Sequence, residues 1–188
     1  MLKSESISIR KQRLMKWQSV LSAASENFSA LKKSDLIAPE FLVRLQDFSM
    51  DEAAAPFAHG QSSKVYRGRY GSYEVAIKEV TCSVSQRKAI VEFASEMYAL
   101  SRLRHPGIVQ LFGVCIHQDE RMFLLSEFCP MNLSRAVLAA QAEWNDCKRE
   151  DVALQIAETM KHVHAHGMLH RDLKPANVLV AKDGHCKL

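Results

Sequence analysis

The chain has 188 residues, 47% hydrophobic and 24% charged, which excludes a disordered tail or fibrous repeat and leaves enough apolar matter for a core in one or two domains. Its formal charge of +4 comes from Lys and Arg spread along the chain among acids, so nucleic acid is not an expected partner. Cys82, Cys115, Cys129, Cys147 and Cys186 stand at wide, irregular spacing without a C-x-x-C pair, which points to a reducing, cytoplasmic compartment, and no run approaches the roughly eighteen apolar positions of a membrane span.

In chain order, Leu14, Trp17, Leu21, Ala24, Phe28 and Leu31 recur at steps of three and four and so share one stripe of a helix. With Arg10, Lys11, Arg13 and Lys16 beside it, this stripe has two readings. It packs on its own domain, which is the commoner fate of such a pattern, or residues 7–31 form a helix for a protein partner or a membrane surface. Pro39 suits the first position of a second helix with Phe41, Leu42, Leu45 and Phe48 as its buried face, which makes residues 1–50 a helical lead-in.

From Ser62 the pattern turns to short β-type runs, residues 64–68 and 73–80, joined by the turn Arg69-Tyr70-Gly71-Ser72. Ile90, Phe93, Met97, Leu100 and Leu103 return to helical spacing, and His105-Pro106-Gly107 closes that helix. Strands are expected over 108–116 and 122–128, then a helix over 151–166 with Val152, Ile156, Met160 and Val163 as its apolar stripe and Gly167 at its end. Val178-Leu179-Val180, an Asp183-Gly184 turn and residues 185–188 read as a hairpin.

The chemistry concentrates in His170-Arg171-Asp172-Leu173-Lys174-Pro175-Ala176-Asn177, which matches H-R-D-L-x-x-x-N at every fixed position. Phosphoryl transfer asks the protein for a carboxylate that orients and deprotonates a hydroxyl and for oxygen ligands to magnesium, and Asp172 and Asn177 are such groups. In this stretch the chain resembles a protein kinase. Val75-Ala76-Ile77-Lys78 matches a second motif of that family, the strand whose lysine holds the α- and β-phosphates. Strand alternation sends Ala76 and Lys78 to one face, where a small residue leaves room for adenine while the lysine reaches the phosphates.

The resemblance implies more. Lys78 would be held by Glu96, which borders the buried stripe and has the family's spacing to His105-Pro106, with Glu92 as the rival. The nucleotide-covering loop G-x-G-x-x-G-x-V appears as Ala58-His59-Gly60-Gln61-Ser62-Ser63-Lys64-Val65, so Gly60 alone keeps the backbone freedom to approach phosphate. Leu124 to Cys129 would be the hinge strand, with backbone groups of Glu127 and Cys129 bonding adenine and Ser126 as gatekeeper. Val65, Ala76 and Leu179 would sandwich the ring, while Leu100, Leu111 and His170 resemble members of a spine linking the lobes, residues that also serve as plain core. In the family His170 is packed into the core, and Arg171 would pair with a phosphorylated activation loop. Lys174 resembles the serine/threonine enzymes and would neutralise the γ-phosphate.

These resemblances imply an α+β fold: a protein-kinase-like small lobe of antiparallel sheet plus one helix over about 51–128, a hinge, and the beginning of a helical large lobe over about 129–188. The implied cofactors are ATP and Mg2+, with Asn177 as metal ligand, and the implied partner is a protein substrate phosphorylated on serine or threonine. The stretch from His105 to Cys115 resembles the tyrosine-kinase-like group. His162, His164 and His166 invite a metal reading, but a histidine-rich helix end suits the dipole without one. No D-F-G follows Leu188, and Ala38-Pro39-Glu40 and Asp47-Phe48-Ser49 precede the nucleotide loop and are decoys. The expectation is therefore that this chain alone is unstable or aggregating, and inactive, with its 151–166 stripe lacking the helices it would pack against. The alternatives are a nucleotide-binding or scaffolding module without catalysis, and an interaction protein acting through residues 7–31.

Overall fold

The computed structural model describes residues 39–50, 55–59, 63–81, 87–117, 121–140 and 144–188. The amphipathic segment 7–31 and Gly60 lie outside the described residues.

Nine strands and three α-helices follow one another in the described residues: β1 Phe48–Met50, β2 Ala58–His59, β3 Ser63–Tyr70, β4 Tyr73–Thr81, α1 Arg87–Arg102, β5 Leu111–Ile116, β6 Arg121–Glu127, β7 Met131–Asn132, α2 Leu133–Ala139, α3 Asp146–Ala165, β8 Leu179–Val180 and β9 Cys186–Lys187. The first six strands make one antiparallel sheet in the order β1-β3-β4-β6-β5, with β2 added on β3. The last three make a small sheet, β7-β8-β9. The expected α+β architecture is thus present: a sheet with one helix, then a largely helical part.

Strand alternation divides the large sheet into two cores. Val80, Leu111, Val114, Met122 and Leu124 face α1 and bury its stripe of Ala89, Ile90, Phe93, Ala94 and Met97. Val75, Ile77, Cys115, Phe123 and Leu125 face the other way and meet Phe48, with Val43, Leu45 and Met50 packed around them. Leu100 touches both the α1 core and two clusters of the second lobe, one around Val163 and one around Cys129, so it joins the lobes by packing.

The helix predicted after Pro39 is not continuous. Two 3-10 turns, Pro39–Phe41 and Leu45–Asp47, flank an extended stretch in which Leu42 forms a parallel bridge to Val114 and the Val43 N–H donates to the Val114 carbonyl at 3.0 Å. Phe41 and Leu42 pack on the α1 core, whereas Val43 and Leu45 pack on the opposite one. Neighbours divided between opposite sheet faces need extended backbone, because a helix would hold them to one side. The segment crosses so close that a Cβ at Gly113 would lie 2.6 Å from Val43 Cγ1. It then runs into β1, which pairs with β3, so residues 42–50 tie β5 at one edge of the main sheet path to β3 near the other.

In the second lobe α3 begins at Asp146, earlier than the apolar stripe suggests, because the Asn145 side chain caps it by accepting from the Lys148 N–H at 2.9 Å. Asn132 caps α2 in the same way through Arg135 at 3.0 Å. The α3 stripe is not left without partners as expected from sequence. Val152 is buried with Leu133, Val178 and Cys186, Ile156 packs on that cluster, and Val163 is buried against Leu103 and Ile108. The exposed leucine of α3, Leu154, lies off the stripe. The lobes also touch where a Cβ on Gly107 would sit 1.9 Å from Thr159 Oγ1, a contact only glycine permits.

Candidate nucleotide and phosphotransfer site

One face of β4 carries four residues in sequence along its length: Glu74, Ala76, Lys78 and Val80. Val80 lies under α1, and the Lys78 ammonium bonds the Glu96 carboxylate from that helix. Both groups are partly exposed, so the pair orients a cation while leaving it accessible. Glu92, the rival, instead pairs with Lys88 at 3.8 Å on the solvent side of α1. Ala76 lies opposite Ser126 of β6, and Val65 of β3 lies opposite Lys78, which places the small and branched residues beside the lysine. Leu179 in β8 is half-buried against the cluster of Val109, Cys129 and Ala181.

Cys129 is buried just after β6, and burial, assisted by the Glu127 charge, pushes its thiol up to about 11, so it is an inert thiol at neutral pH. Glu127 is more occupied than its backbone role alone would require. Its N–H donates to the Gln110 carbonyl at 2.9 Å, while its carboxylate accepts from the Gln110 N–H at 3.3 Å and pairs with Lys187 of β9 at 2.9 Å. The hinge is thereby tied to both lobes.

Asp172, Lys174 and Asn177 form one hydrogen-bonded group. A 3-10 turn over Pro175–Asn177 folds the loop back, with the Asn177 N–H donating to the Lys174 carbonyl at 2.8 Å. Asn177 Nδ2 then donates to Asp172 Oδ2 at 2.7 Å and to the Asp172 carbonyl at 2.9 Å, and Lys174 Nζ donates to the same Oδ2 at 2.9 Å. The Lys174 bond first, and the Asn177 bond second, hold the Asp172 carboxyl below the usual carboxylate range. Preceding it, Arg171 has φ 65, a left-handed backbone costly for a residue with a Cβ. His170 is half-buried, not packed into the core as the resemblance implied. Its Nδ1 faces the Asp172 N–H at 3.4 Å.

Sequence reasoning missed the groups that link the β3–β4 hairpin, Phe128 and the β8–β9 turn. Arg67 of β3 pairs with Glu74 and lies over the Phe128 ring at 5.0 Å, Phe57 meets Phe128 at 5.3 Å, and Lys182 of the β8–β9 turn reaches back to Glu74. The Arg67-x-x-x-x-x-x-Glu74 hairpin spacing was legible; the long-range lysine was not. A cavity of about 300 Å³ lies elsewhere: Phe41, Leu103, Arg104, His105 and Ile108 are in its lining, which includes Glu127 from the expected site.

Among the described residues no helix is long and apolar enough to cross a membrane, and no group of three or more His, Cys, Asp or Glu is placed to hold a metal ion. His162 stacks on His105 with ring centroids 4.8 Å apart, and its other ring contact is with His166, tilted at 4.4 Å.

A sheet-and-helix lobe presenting a lysine–glutamate pair, joined by a short strand to a helical lobe with an aspartate–asparagine loop, defines the class of protein kinase domains. The chain belongs to that family, whose profile, that of the protein kinase domain, matches residues 56–188. It is 33% identical over 134 residues to receptor-like kinase TMK2 of Arabidopsis thaliana, covering 66% of this chain and 15% of that protein. Against a probable serine/threonine-protein kinase of Dictyostelium discoideum it is 30% identical over 142 residues, 75% of this chain and 16% of the other. With serine/threonine-protein kinase 12 of Arabidopsis thaliana the figures are 31% over 137 residues, 68% and 30%. The chain thus spans less than a third of the length of these relatives.

Proposed function

We propose that this chain carries the nucleotide-holding and hydroxyl-orienting parts of a phosphoryl transfer from ATP to serine or threonine side chains of a protein. Val65 and Ala76 on one side and Leu179 on the other enclose adenine, the backbone at Glu127 and Cys129 bonds its edge, and Lys78, steadied by Glu96, binds the α- and β-phosphate oxygens. Gly60 lets the covering loop approach the phosphates. Asp172 accepts the hydroxyl proton as that oxygen attacks the γ-phosphorus, the bond from phosphorus to the bridging oxygen breaks, and ADP leaves. Lys174 offsets the charge on the moving phosphoryl group. With Asn177 Nδ2 committed to Asp172, the Asn177 Oδ1 is left as a hard-oxygen ligand that would hold magnesium, which when bound neutralises phosphate charge.

The observation that carries this reading is the Lys78–Glu96 pair on the strand face it shares with Ala76. Serine/threonine-protein kinases among the relatives support the choice of acceptor. The test is transfer of labelled γ-phosphate to matched serine, threonine and tyrosine peptides by the 188-residue chain and by Asp172→Asn. Transfer confined to serine and threonine and lost in the variant supports the proposal; transfer that survives the variant overturns it.

A second reading, a nucleotide-binding or scaffolding module without catalysis, is favoured by Ala58 and Ser63. They stand in β2 and at the start of β3, where the family's loop has glycines. Saturable ATP binding with no transfer to any peptide would select it.

A further inference from the structure

A chain of contacts links the β3–β4 hairpin, Phe128 and the β8–β9 turn, and neither the proposed phosphate binding nor the Asp172 loop uses it. Glu74 is two positions from Ala76 on the same strand face, and Lys182 is three positions from Leu179, so the two charges project from the roof and the floor of the proposed adenine slot. Their ion pair joins residues 108 positions apart, one from each lobe. Lys182 is held by its hairpin. Ala181 before it is buried with Val109 and Cys129, its N–H donates to the His185 carbonyl at 2.9 Å, and the Gly184 N–H donates to its carbonyl at 3.0 Å. On the other side Glu74 also takes Arg67, whose guanidinium covers one part of Phe128 while Phe57, at the entry to β2, covers another. Two cations on one carboxylate keep it charged below the ordinary range, the Lys182 bond contributing most.

We propose that Lys182, Glu74 and Arg67 form an interlobe clasp that holds the Phe57–Phe128 pair across the mouth of the adenine slot and slows nucleotide release. The proposal rests on the reading that a nucleotide occupies that slot. It makes Lys182 and Arg67 positioning residues: neither is assigned a contact with nucleotide, and both act through the roof and the hinge. The charges are partly solvated, so each bond is modest and screened by salt. Release should therefore quicken as ionic strength rises, an effect that plain packing of the slot would not produce.

The test measures dissociation of a fluorescent ADP analogue across a salt series for the full chain, Lys182→Met, Lys182→Arg, Glu74→Gln and the double variant Glu74→Gln/Lys182→Met. We expect Lys182→Met to raise the release rate about two- to fivefold, the range of a screened surface ion pair, and to flatten its salt dependence. Lys182→Arg should restore both, and the double variant should be no faster than Glu74→Gln alone. Equal rates and equal salt slopes for the full chain and Lys182→Met overturn the clasp. Hydrogen exchange of the Phe128 and Cys129 amides, measured without nucleotide, separates the two levels of the argument. If the analogue does not bind at all but Lys182→Met speeds this exchange, the clasp stands and the nucleotide reading falls; unchanged exchange sinks the clasp whether or not nucleotide binds.

Discussion

Lys78 and Glu96, eighteen positions apart, meet in an ion pair between β4 and α1, while Glu92, one helical turn earlier, is turned outward to Lys88. A helix carries only one narrow strip toward a strand it packs on, and Phe93 and Met97, both almost wholly buried, define that strip beside Glu96. The choice between two similar carboxylates is therefore made by helix phase.

It follows that Glu96→Gln weakens Mg-ATP binding roughly ten- to a hundredfold, the range of a lost charge-assisted bond, while Glu92→Gln leaves it within about twofold. Calorimetric titration of the two variants checks this, and equal losses would mean that the pair does not set the lysine.

Asp172 should titrate below an ordinary aspartate, because Lys174 and Asn177 stabilise its charged form. A depressed folded value means the carboxylate stays ionised as pH falls and gains its proton only beneath the usual range. Lys174→Met removes the first of the two causes, so the titration midpoint should rise toward the ordinary value. Carbon-13 NMR of the Asp172 carboxyl reads this directly; an unmoved midpoint would show that Lys174 does not bond it in solution.

Gly107 and Thr159 supply a prediction about stability. A Cβ at position 107 would press on three atoms of a buried threonine, so Gly107→Ala should cost about 1–3 kcal/mol, with partial recovery in Gly107→Ala/Thr159→Ala. Urea unfolding of the single and double variants measures both. An alanine tolerated without loss would place the 105–108 loop farther from α3.

His162 has a buried Nε2 without a hydrogen-bond partner, and burial first, then His166 and His105, lower its proton affinity from the usual value of 6.5. The unfolded chain then binds this proton more readily than the folded one, so the contribution is intact above the unfolded value and is lost as pH falls below it. Melting temperature should decline from about pH 7.5 to about pH 5.5, and His162→Phe should flatten that slope. A slope unchanged by the substitution would assign the acid sensitivity to other groups.

Much of this was legible in the sequence where local period and tertiary packing agree. The hairpin of β3 and β4, the phase of α1 and the Asp172–Asn177 loop were each signalled by residues that also make the contacts. Two kinds of element were not. Residues 39–50 look helical by apolar spacing, yet Leu42 and Val43 are drawn into sheet pairing with Val114, a long-range bond that no local pattern announces. The first turn of α3, Asp146 to Arg149, carries no part of the apolar stripe, so only the cap at Asn145 and the acidic Asp146 signalled it. At the site, Lys182 and Lys187 read as ordinary surface lysines, because their partners Glu74 and Glu127 lie in the other lobe and the hinge.

The most direct measurement is a backbone NMR map of the 188-residue chain titrated with Mg-ATP. The account predicts that perturbed amides cluster at Val65, Ala76, Lys78, Cys129 and Leu179, and that Lys78→Met abolishes the response. Perturbations confined to the cavity around Phe41, Leu103 and His105, or a response indifferent to Lys78, would contradict it.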